Sequence, residues 1–319
     1  TFASAKKLFS AFAASHSWSA AERALIPQFP DDYPVAPEAI DIAKKFVNTR
    51  KDKRPMNNFM WRGITSYGKS TGVELMAGFL NIPLLRMTCN STMETQNFLS
   101  DIIPDTDGAH TTELPDFAEI AADPASAYFK LTGVEDESAT CQMALEAYGK
   151  AAASNGSVAR YKFVESNYVK ALEHGYIVEV QEISRIRDAG VLVGLNEYDR
   201  AGAMIPLVDG RFVRRHPDAM VVYTDNVGYA SCRPVDPSVI RRCAFVIDSY
   251  ELTKETLLAR VRYNTGFPDK DLLEKMYTVW LAISKHCKEN DITEGSISAT
   301  ELEMWAQSVQ VDGMSNCLL

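Results

Sequence analysis

A glycine-rich stretch between an apolar segment and a helical pattern constrains the fold of this chain more than any other feature. Gly63 is followed by four residues and then by Gly68, Lys69 and Ser70, which is the spacing G-x-x-x-x-G-K-[ST]. In this motif glycines let backbone N–H groups face phosphate oxygens, the lysine reaches the terminal phosphates, and the hydroxyl binds Mg²⁺. The predicted phosphate-binding residues form one run: Gly63, Ile64, Thr65, Ser66, Tyr67, Gly68, Lys69, Ser70 and Thr71.

The alternative interpretation of this stretch is a glycine-rich turn with an exposed lysine. The flanking segments favour the phosphate loop, because they read as a strand before it, NNFMWRGI, and a helix after it, KSTGVELMAGFL. The next segment, IPLLRMTCN, has the near-continuous apolar run of a buried parallel strand. We therefore expect one βαβ unit over residues 58–90. The segments YIVEV, AMVVYTDN and RCAFVIDSYEL are predicted as further core strands, so the fold class is α/β.

The order of these patterns predicts three parts. Residues 1–38 form a helical arm and a proline-rich linker, and residues 39–250 form the α/β core with an insertion at about 105–160. Residues 251–319 are helical throughout. The arm carries one broad apolar face, and the sequence leaves open whether this face packs on its own subunit or on a neighbouring one. The residues of that face are Phe2, Leu8, Phe9 and Phe12.

Composition excludes some classes of function. The chain has 319 residues and a net charge of −9, which argues against a protein whose main task is binding nucleic-acid phosphates. No apolar run reaches the roughly 18 residues of a membrane-spanning helix. The six cysteines form no C-x-x-C pair and have irregular spacing, which indicates reduced thiols in a cytoplasmic protein.

A carboxylate near the phosphate loop is the next requirement, because hydrolysis needs a group that activates water. The predicted strand YIVEV ends in Gln181 and Glu182. Glu182 is the predicted water-activating residue, and Gln181 stands where phosphate-loop ATPases usually carry an aspartate that helps to hold Mg²⁺. Gln181 can bind a metal-bound water but supplies no charge. Glu179, within the strand, is interpreted as a structural acid, and the acidic stretch GVEDE is a weaker candidate because it follows no clean strand.

Two further polar features belong to the same chemistry. Asn226 ends the apolar strand AMVVYTDN, where it could hold the attacking water between Glu182 and phosphate; a simple strand-to-loop turn is the alternative. Arg241 and Arg242 precede the last core strand, and either guanidinium could reach a phosphate bound to an adjacent subunit. The alternative for this pair is a surface position without function.

Taken in chain order, these motifs resemble the MoxR-type branch of the AAA+ ATPases, which is related to the dynein and midasin modules. The resemblance covers roughly residues 39–319 and rests on GITSYGKST, YIVEVQE, the hairpin around VDGRF, VVYTDN and VDPSVIRRC. It implies a three-layer αβα P-loop NTPase core with a C-terminal helical lid, ATP and Mg²⁺ as cofactors, and a hexameric ring that remodels a protein. Family members often work with a protein that carries a von Willebrand A domain. The resemblance also implies a second sensor arginine on the helix SISATELEMW, where this chain has Thr300.

Three functions follow from these features. The first is a ring-forming ATPase that remodels or activates a protein client. The second is a nucleotide-gated assembly scaffold with little hydrolysis, and Gln181 and Thr300 motivate it. The third is a nucleic-acid motor or loader, which the net charge disfavours and which only the arginines of the segment GRFVRRH support: Arg211, Arg214 and Arg215.

Overall fold

The computed structural model describes residues 1–104, 114–155, 161–207, 210–227, 235–249, 252–290, 292 and 297–314. The helices are α1 (Phe2–Leu8), α2 (Ser10–Ala13), α3 (Ala20–Arg23), α4 (Pro37–Thr49), α5 (Lys69–Leu80), α6 (Thr95–Leu99), α7 (Phe117–Ala122), α8 (Pro124–Thr132), α9 (Cys141–Asn155), α10 (Asn167–His174), α11 (Ala189–Val193), α12 (Pro237–Arg242), α13 (Lys254–Thr265), α14 (Lys270–Glu289) and α15 (Ala299–Asp312). The strands are β1 (Asn58–Gly63), β2 (Leu84–Thr88), β3 (Ser100–Pro104), β4 (Tyr161–Glu165), β5 (Ile177–Gln181), β6 (Met204–Pro206), β7 (Phe212–Arg214), β8 (Met220–Asn226) and β9 (Phe245–Asp248). The chain divides into two compact units, one formed by Thr1–Leu99 with Glu165–Leu319 and the other by Ser100–Val164.

The first unit is built on a five-stranded parallel sheet with the strand order β2-β5-β8-β1-β9. In β8 every residue from Met220 to Asp225 is buried, and β5 is buried from Ile177 to Val180. Because successive side chains of a strand point to opposite faces, both faces of these strands are covered. The predicted α/β class with a three-layer core is therefore confirmed.

The strand, helix and strand of the expected βαβ unit at residues 58–90 are present, and both strands belong to the same parallel sheet. Its strands β1 and β2 do not pair, because β8 and β5 lie between them. The burial of β2 shows the reason: Arg86 and Thr88 are exposed, as befits a strand at the edge of the sheet, whereas β5 and β8 are buried along their length except at their last residues, Gln181 and Asn226. Apolar runs reveal that strands are buried but not which strands are neighbours.

The N-terminal arm packs on its own chain. Phe2, Phe9 and Phe12 are buried, and Phe9 stacks on Phe79 of α5 with the ring centroids 5.2 Å apart. The expected apolar face was wrong for Leu8, whose side chain is 56% exposed. The arm consists of three short helices instead of one long one, so a single helical face does not extend along it.

The hairpin and the helical end follow the predictions. The strands β6 and β7 pair antiparallel, as expected of the hairpin around VDGRF, and Asp209 of that segment lies outside the described residues. Helices α13, α14 and α15 enclose an apolar cluster of their own, which includes Leu257, Leu273 and Leu302. Within the part of the chain that the structure describes, no helix has both the length and the apolar character of a membrane span. The boundaries at residues 38 and 250 remain predictions.

The second unit contains the paired strands β3 and β4 and the helices α7, α8 and α9, which pack around Ile120, Ala127 and Ala144. The acidic stretch GVEDE follows helix α8, not a strand. The expected insertion at about 105–160 falls in this unit, but residues 105–113 and 156–160 lie outside the described residues. The extent of the insertion therefore remains a prediction.

Candidate phosphate-binding site

A cavity of about 260 Å³ opens at the carboxyl edge of the parallel sheet. It is lined by the loop that connects β1 to α5, by the ends of β5 and β8, and by Arg260 from α13. In open parallel sheets this edge is the usual position of a ligand. The lining residues belong to the first unit, so one folded unit supplies the whole cavity.

The loop at residues 63–69 wraps around its own lysine. Lys69 Nζ donates hydrogen bonds to the carbonyl oxygens of Gly63 at 3.0 Å and Ile64 at 2.8 Å, and to Asn226 Oδ1 at 3.0 Å. Lys69 is only 8% exposed, so the alternative of a turn with an exposed lysine was wrong. Gly68 has φ +79°, a conformation that glycine adopts without steric cost, and it leads directly into α5. The positive end of α5 therefore faces the cavity, as an anion site requires.

The first glycine of the motif is fixed by packing. A Cβ at Gly63 would lie 2.5 Å from Ser249 Cβ, immediately after β9. Gly72, in the first turn of α5, has equally little space for a side chain, because a Cβ there would overlap the buried ring of Trp61. Both glycines thus allow the loop and its helix to lie close to the sheet.

Helices α13 and α15 contact the same loop through Ser66, which has φ +68°. Arg260 donates through Nη1 to the Ser66 carbonyl at 2.8 Å and through Nε to Glu303 Oε1 at 2.6 Å. The Ser66 and Thr300 hydroxyl oxygens are 2.9 Å apart. The residue at the expected sensor position, Thr300, therefore does touch the loop, while Arg260 brings a guanidinium from another helix.

Arg260 was not among the residues predicted from the sequence. One signal was available: Arg260 lies beside Leu257 and Val261 on the helical face that these two residues bury, where an unpaired arginine would be costly. Which partners it meets could not be read from that pattern.

The Ser70 hydroxyl, at the start of α5, contacts two side chains of β5, Glu179 and Gln181. Ser70 Oγ donates to Glu179 Oε1 at 2.6 Å, and Gln181 Nε2 donates to Ser70 Oγ at 3.2 Å. Gln181 Oε1 accepts from Thr88 Oγ1 at 2.9 Å. The predicted metal-site residues Ser70 and Gln181 thus lie together, and Gln181 presents its amide nitrogen, not its oxygen, to Ser70.

Glu182 and Asn226 meet at the neighbouring strand ends. Asn226 Nδ2 donates to Glu182 Oε1 at 3.3 Å, and Arg185 forms an ion pair with the other carboxylate oxygen. Glu182 has φ +58°, an uncommon backbone conformation for a residue other than glycine. Close to it in the chain, Ser184 donates from its backbone N–H and its hydroxyl to Asp225 Oδ1, at 3.2 and 2.7 Å. Burial raises the pKa of Asp225, and the hydrogen bonds from Ser184 oppose that rise.

The two predicted arginines differ in their surroundings. Arg242 donates to the Asn196 carbonyl oxygen at 2.8 Å and lies 3.8 Å from Asp199 Oδ2. Arg241 is exposed and has no ion pair with any residue that the structure describes. Neither is among the residues that line the cavity. A role for either arginine at phosphate therefore requires a second copy of the chain.

The donor set fits a nucleotide with Mg²⁺. Mg²⁺ keeps several waters and takes one or two protein ligands plus phosphate oxygens, so it needs no cage of carboxylates. Consistent with this, no group of three or more His, Cys, Asp or Glu side chains suited to a metal occurs among the described residues. Ser70 is the hydroxyl available to the cation, and Lys69 and the start of α5 are the groups available to phosphates.

Comparisons with known proteins give distant similarities only. No protein-family model and no curated protein matches the chain. Among solved structures, the Saccharomyces cerevisiae Hsp104–ADP complex is similar over 71% of this chain and 35% of that chain, with 13% identity and a TM-score of 0.41. A candidate ATPase from Cytophaga hutchinsonii is similar over 99% of this chain and 82% of that chain, with 8% identity and a TM-score of 0.44. This chain thus spans about a third of the Hsp104 chain.

Proposed function

We propose that this chain is an AAA+ ATPase of the MoxR-type branch, which binds ATP with Mg²⁺, hydrolyses it and acts on a protein client. The observation that carries the proposal is the meeting of four side chains at one edge of the sheet: Lys69, Ser70, Glu182 and Asn226. A buried lysine in a glycine-rich loop supports phosphate binding, and a carboxylate beside it supports hydrolysis.

Each of these side chains has a separate task in the proposed reaction. Lys69 and the N–H groups at the start of α5 bind the phosphate oxygens. The Ser70 hydroxyl would hold Mg²⁺, which would supply positive charge to offset the charge on the phosphates. Glu182 accepts the proton of the attacking water on a carboxylate oxygen, and Asn226 orients that carboxylate through its amide N–H.

A ring of copies is proposed because neither of the two predicted arginines, Arg241 and Arg242, lines the cavity of its own chain. Arg185 is occupied in the ion pair with Glu182, and Arg242 is held by Asn196 and Asp199. Both arginines are exposed, but Arg241 has no ion pair with a described residue, so in a ring it is the better placed of the two to reach a phosphate bound to the next copy. The hexameric state and a client with a von Willebrand A domain are proposed from the family resemblance alone, and the cytoplasmic location from the unpaired spacing of the cysteines.

A nucleotide-held scaffold with little hydrolysis is a second candidate, and two observations favour it. Gln181 supplies no charge beside Ser70, and the ion pair with Arg185 restrains Glu182. In the part of the hairpin that the structure describes, no contact favours a nucleic-acid motor. Arg215 is fully buried and bonded to the Tyr198 carbonyl oxygen, and Arg211 pairs with a glutamate.

Steady-state ATP hydrolysis over a series of protein concentrations tests the proposal. Turnover per chain should rise with concentration, because the arginine comes from a neighbouring copy, and Lys69→Ala and Glu182→Gln should abolish it. Arg241→Ala should reduce turnover more than Arg242→Ala. Turnover at the level of Lys69→Ala, in wild-type protein that still binds ATP, would instead establish the scaffold.

A further inference from the structure

Glu179 is a carboxylate in the interior of the sheet whose partners point to a task beyond packing. Its side chain is 0% exposed. It accepts hydrogen bonds from Ser70 Oγ at 2.6 Å, from Thr224 Oγ1 at 3.0 Å and from Arg86 Nε at 3.0 Å. Burying a carboxylate is expensive unless it is paired and hydrogen-bonded, and here one of its partners is the hydroxyl of the phosphate-loop motif.

The position of Glu179 on its strand explains how it reaches that hydroxyl. Residues two apart on a strand point to the same face, so Glu179 and Gln181 face α5 together. Both side chains form a hydrogen bond with the Ser70 hydroxyl, but in opposite directions. Glu179 accepts a hydrogen bond from this hydroxyl, whereas Gln181 donates one to its oxygen. The Gln181 oxygen is occupied by Thr88. At Ser70, therefore, negative charge is supplied from position 179 and not from position 181.

We propose that Glu179 is the positioning carboxylate of the Mg²⁺ site, in place of an acid at Gln181. It holds the Ser70 proton away from the cavity, which turns a lone pair of Oγ towards the cation, and it supplies the negative charge that offsets the cation. Arg86 and Thr224 keep the carboxylate in this orientation. The inference rests on the proposed function, because it concerns the cation that accompanies the nucleotide.

A purely structural role for Glu179 makes a different prediction. Arg86 also forms an ion pair with Glu74, a carboxylate on α5 that touches neither Ser70 nor Gln181 in the described contacts. If Glu179 served only to hold Arg86, then Glu179→Gln and Glu74→Gln would have the same kind of effect, confined to the free energy of unfolding. Glu74→Gln is therefore the matched control.

The test is binding of a fluorescent ADP analogue, measured for each variant once with EDTA and once with excess Mg²⁺. The ratio of the two affinities reports the cation alone, and binding of Mn²⁺ in the presence of ADP, followed by electron paramagnetic resonance, gives a second readout. Removal of a group that orients a metal ligand commonly lowers metal affinity by about ten- to a hundredfold. We expect Glu179→Gln to lower the Mg²⁺-dependent ratio and the Mn²⁺ affinity by about tenfold or more, with the affinity in EDTA unchanged. Glu74→Gln should keep the wild-type ratio.

A double variant that moves the acid by two residues separates loss of the acid from loss of folding, because it carries the same Glu179→Gln substitution. The double variant Glu179→Gln/Gln181→Asp should regain most of the ratio, because it returns a carboxylate to Ser70. Gln181→Asp alone should change the ratio by less than about threefold, since position 179 already supplies the charge. A wild-type ratio in Glu179→Gln, or a tenfold gain in Gln181→Asp alone, would overturn the inference about Glu179. Absence of nucleotide binding by the wild type in both conditions would overturn the proposed function, and this inference with it.

Discussion

Arg260 connects the helical end of the chain to the phosphate loop, and its removal should weaken nucleotide binding. Its guanidinium donates to the Ser66 carbonyl and to Glu303, and its side chain is 13% exposed, so water screens these bonds little. Ser66 has φ +68°, a conformation that a serine keeps only where its surroundings hold it. We expect Arg260→Ala to release the loop from this conformation and to remove a cation from the cavity wall.

The magnitude follows from the bond to Ser66. A hydrogen bond to a charged group contributes about 1.5–3 kcal/mol, and about 1.4 kcal/mol corresponds to tenfold in a binding constant. If the loop conformation is required for binding, the dissociation constant for ATP should rise by about ten- to a hundredfold. Isothermal titration calorimetry of ATP with Mg²⁺ measures this change.

Asn264→Ala is the matched control for Arg260→Ala. Asn264 donates to the same Glu303 oxygen at 3.0 Å but does not contact the loop. It should lower the free energy of unfolding slightly and leave the ATP affinity within about threefold of the wild type, since a neutral hydrogen bond contributes about 1 kcal/mol. If Arg260→Ala binds ATP as the wild type does, or if both variants lose the same affinity, the role assigned to the Ser66 contact is wrong.

Two further predictions concern stability. Gly72→Ala should lower the free energy of unfolding by about 1–3 kcal/mol, because the new Cβ would overlap the buried ring of Trp61. The ring is also held by the hydrogen bond that its Nε1 donates to Ser249 Oγ at 2.7 Å. Urea denaturation measures the change, and an unchanged midpoint would show that the ring can shift freely. Burial raises the pKa of Asp218, but His16, whose Nε2 lies 3.5 Å from Asp218 Oδ2, and the ion pair with Arg50 lower it by more, so the pKa is below its ordinary value. The stability that Asp218 contributes is thus present above the ordinary aspartate pKa and is lost as the pH falls through its lowered pKa in the folded state. Asp218→Asn should therefore destabilise the protein at neutral pH by more than at acidic pH, and an equal loss at both in thermal unfolding would contradict this assignment.

Much of the fold could be predicted because its signals are local. The loop motif, the helix α5 and the strands β5 and β8 each lie within a short segment whose apolar pattern or spacing is distinctive. The order of the strands could not be predicted, since β5 and β8 enter between β1 and β2 only through pairings distant in sequence. The breaks that divide the N-terminal arm into three short helices could not be predicted either.

The residues of the candidate site also divide into those with a local signal in the sequence and those without one. Lys69, Ser70 and Glu182 were found from motifs, because their spacing or their place at a strand end carries the information. Arg260 was missed because its partner Ser66 is 194 residues away in sequence. Glu179 was seen but interpreted as structural, since a sequence shows that a strand residue is acidic but not that its carboxylate meets Ser70.

The central claim is that the loop around Lys69 binds the phosphates of ATP. The most direct test is the dissociation constant of ATP for the wild type and for Lys69→Ala, measured by calorimetry at one salt concentration, with circular dichroism to verify that both are folded. We predict binding to the wild type and a loss of at least about a hundredfold in the variant, because Lys69 is the buried cation at the centre of the loop and bonds to charged groups contribute most. Equal affinities in two folded proteins, or no binding by the wild type, would contradict the account.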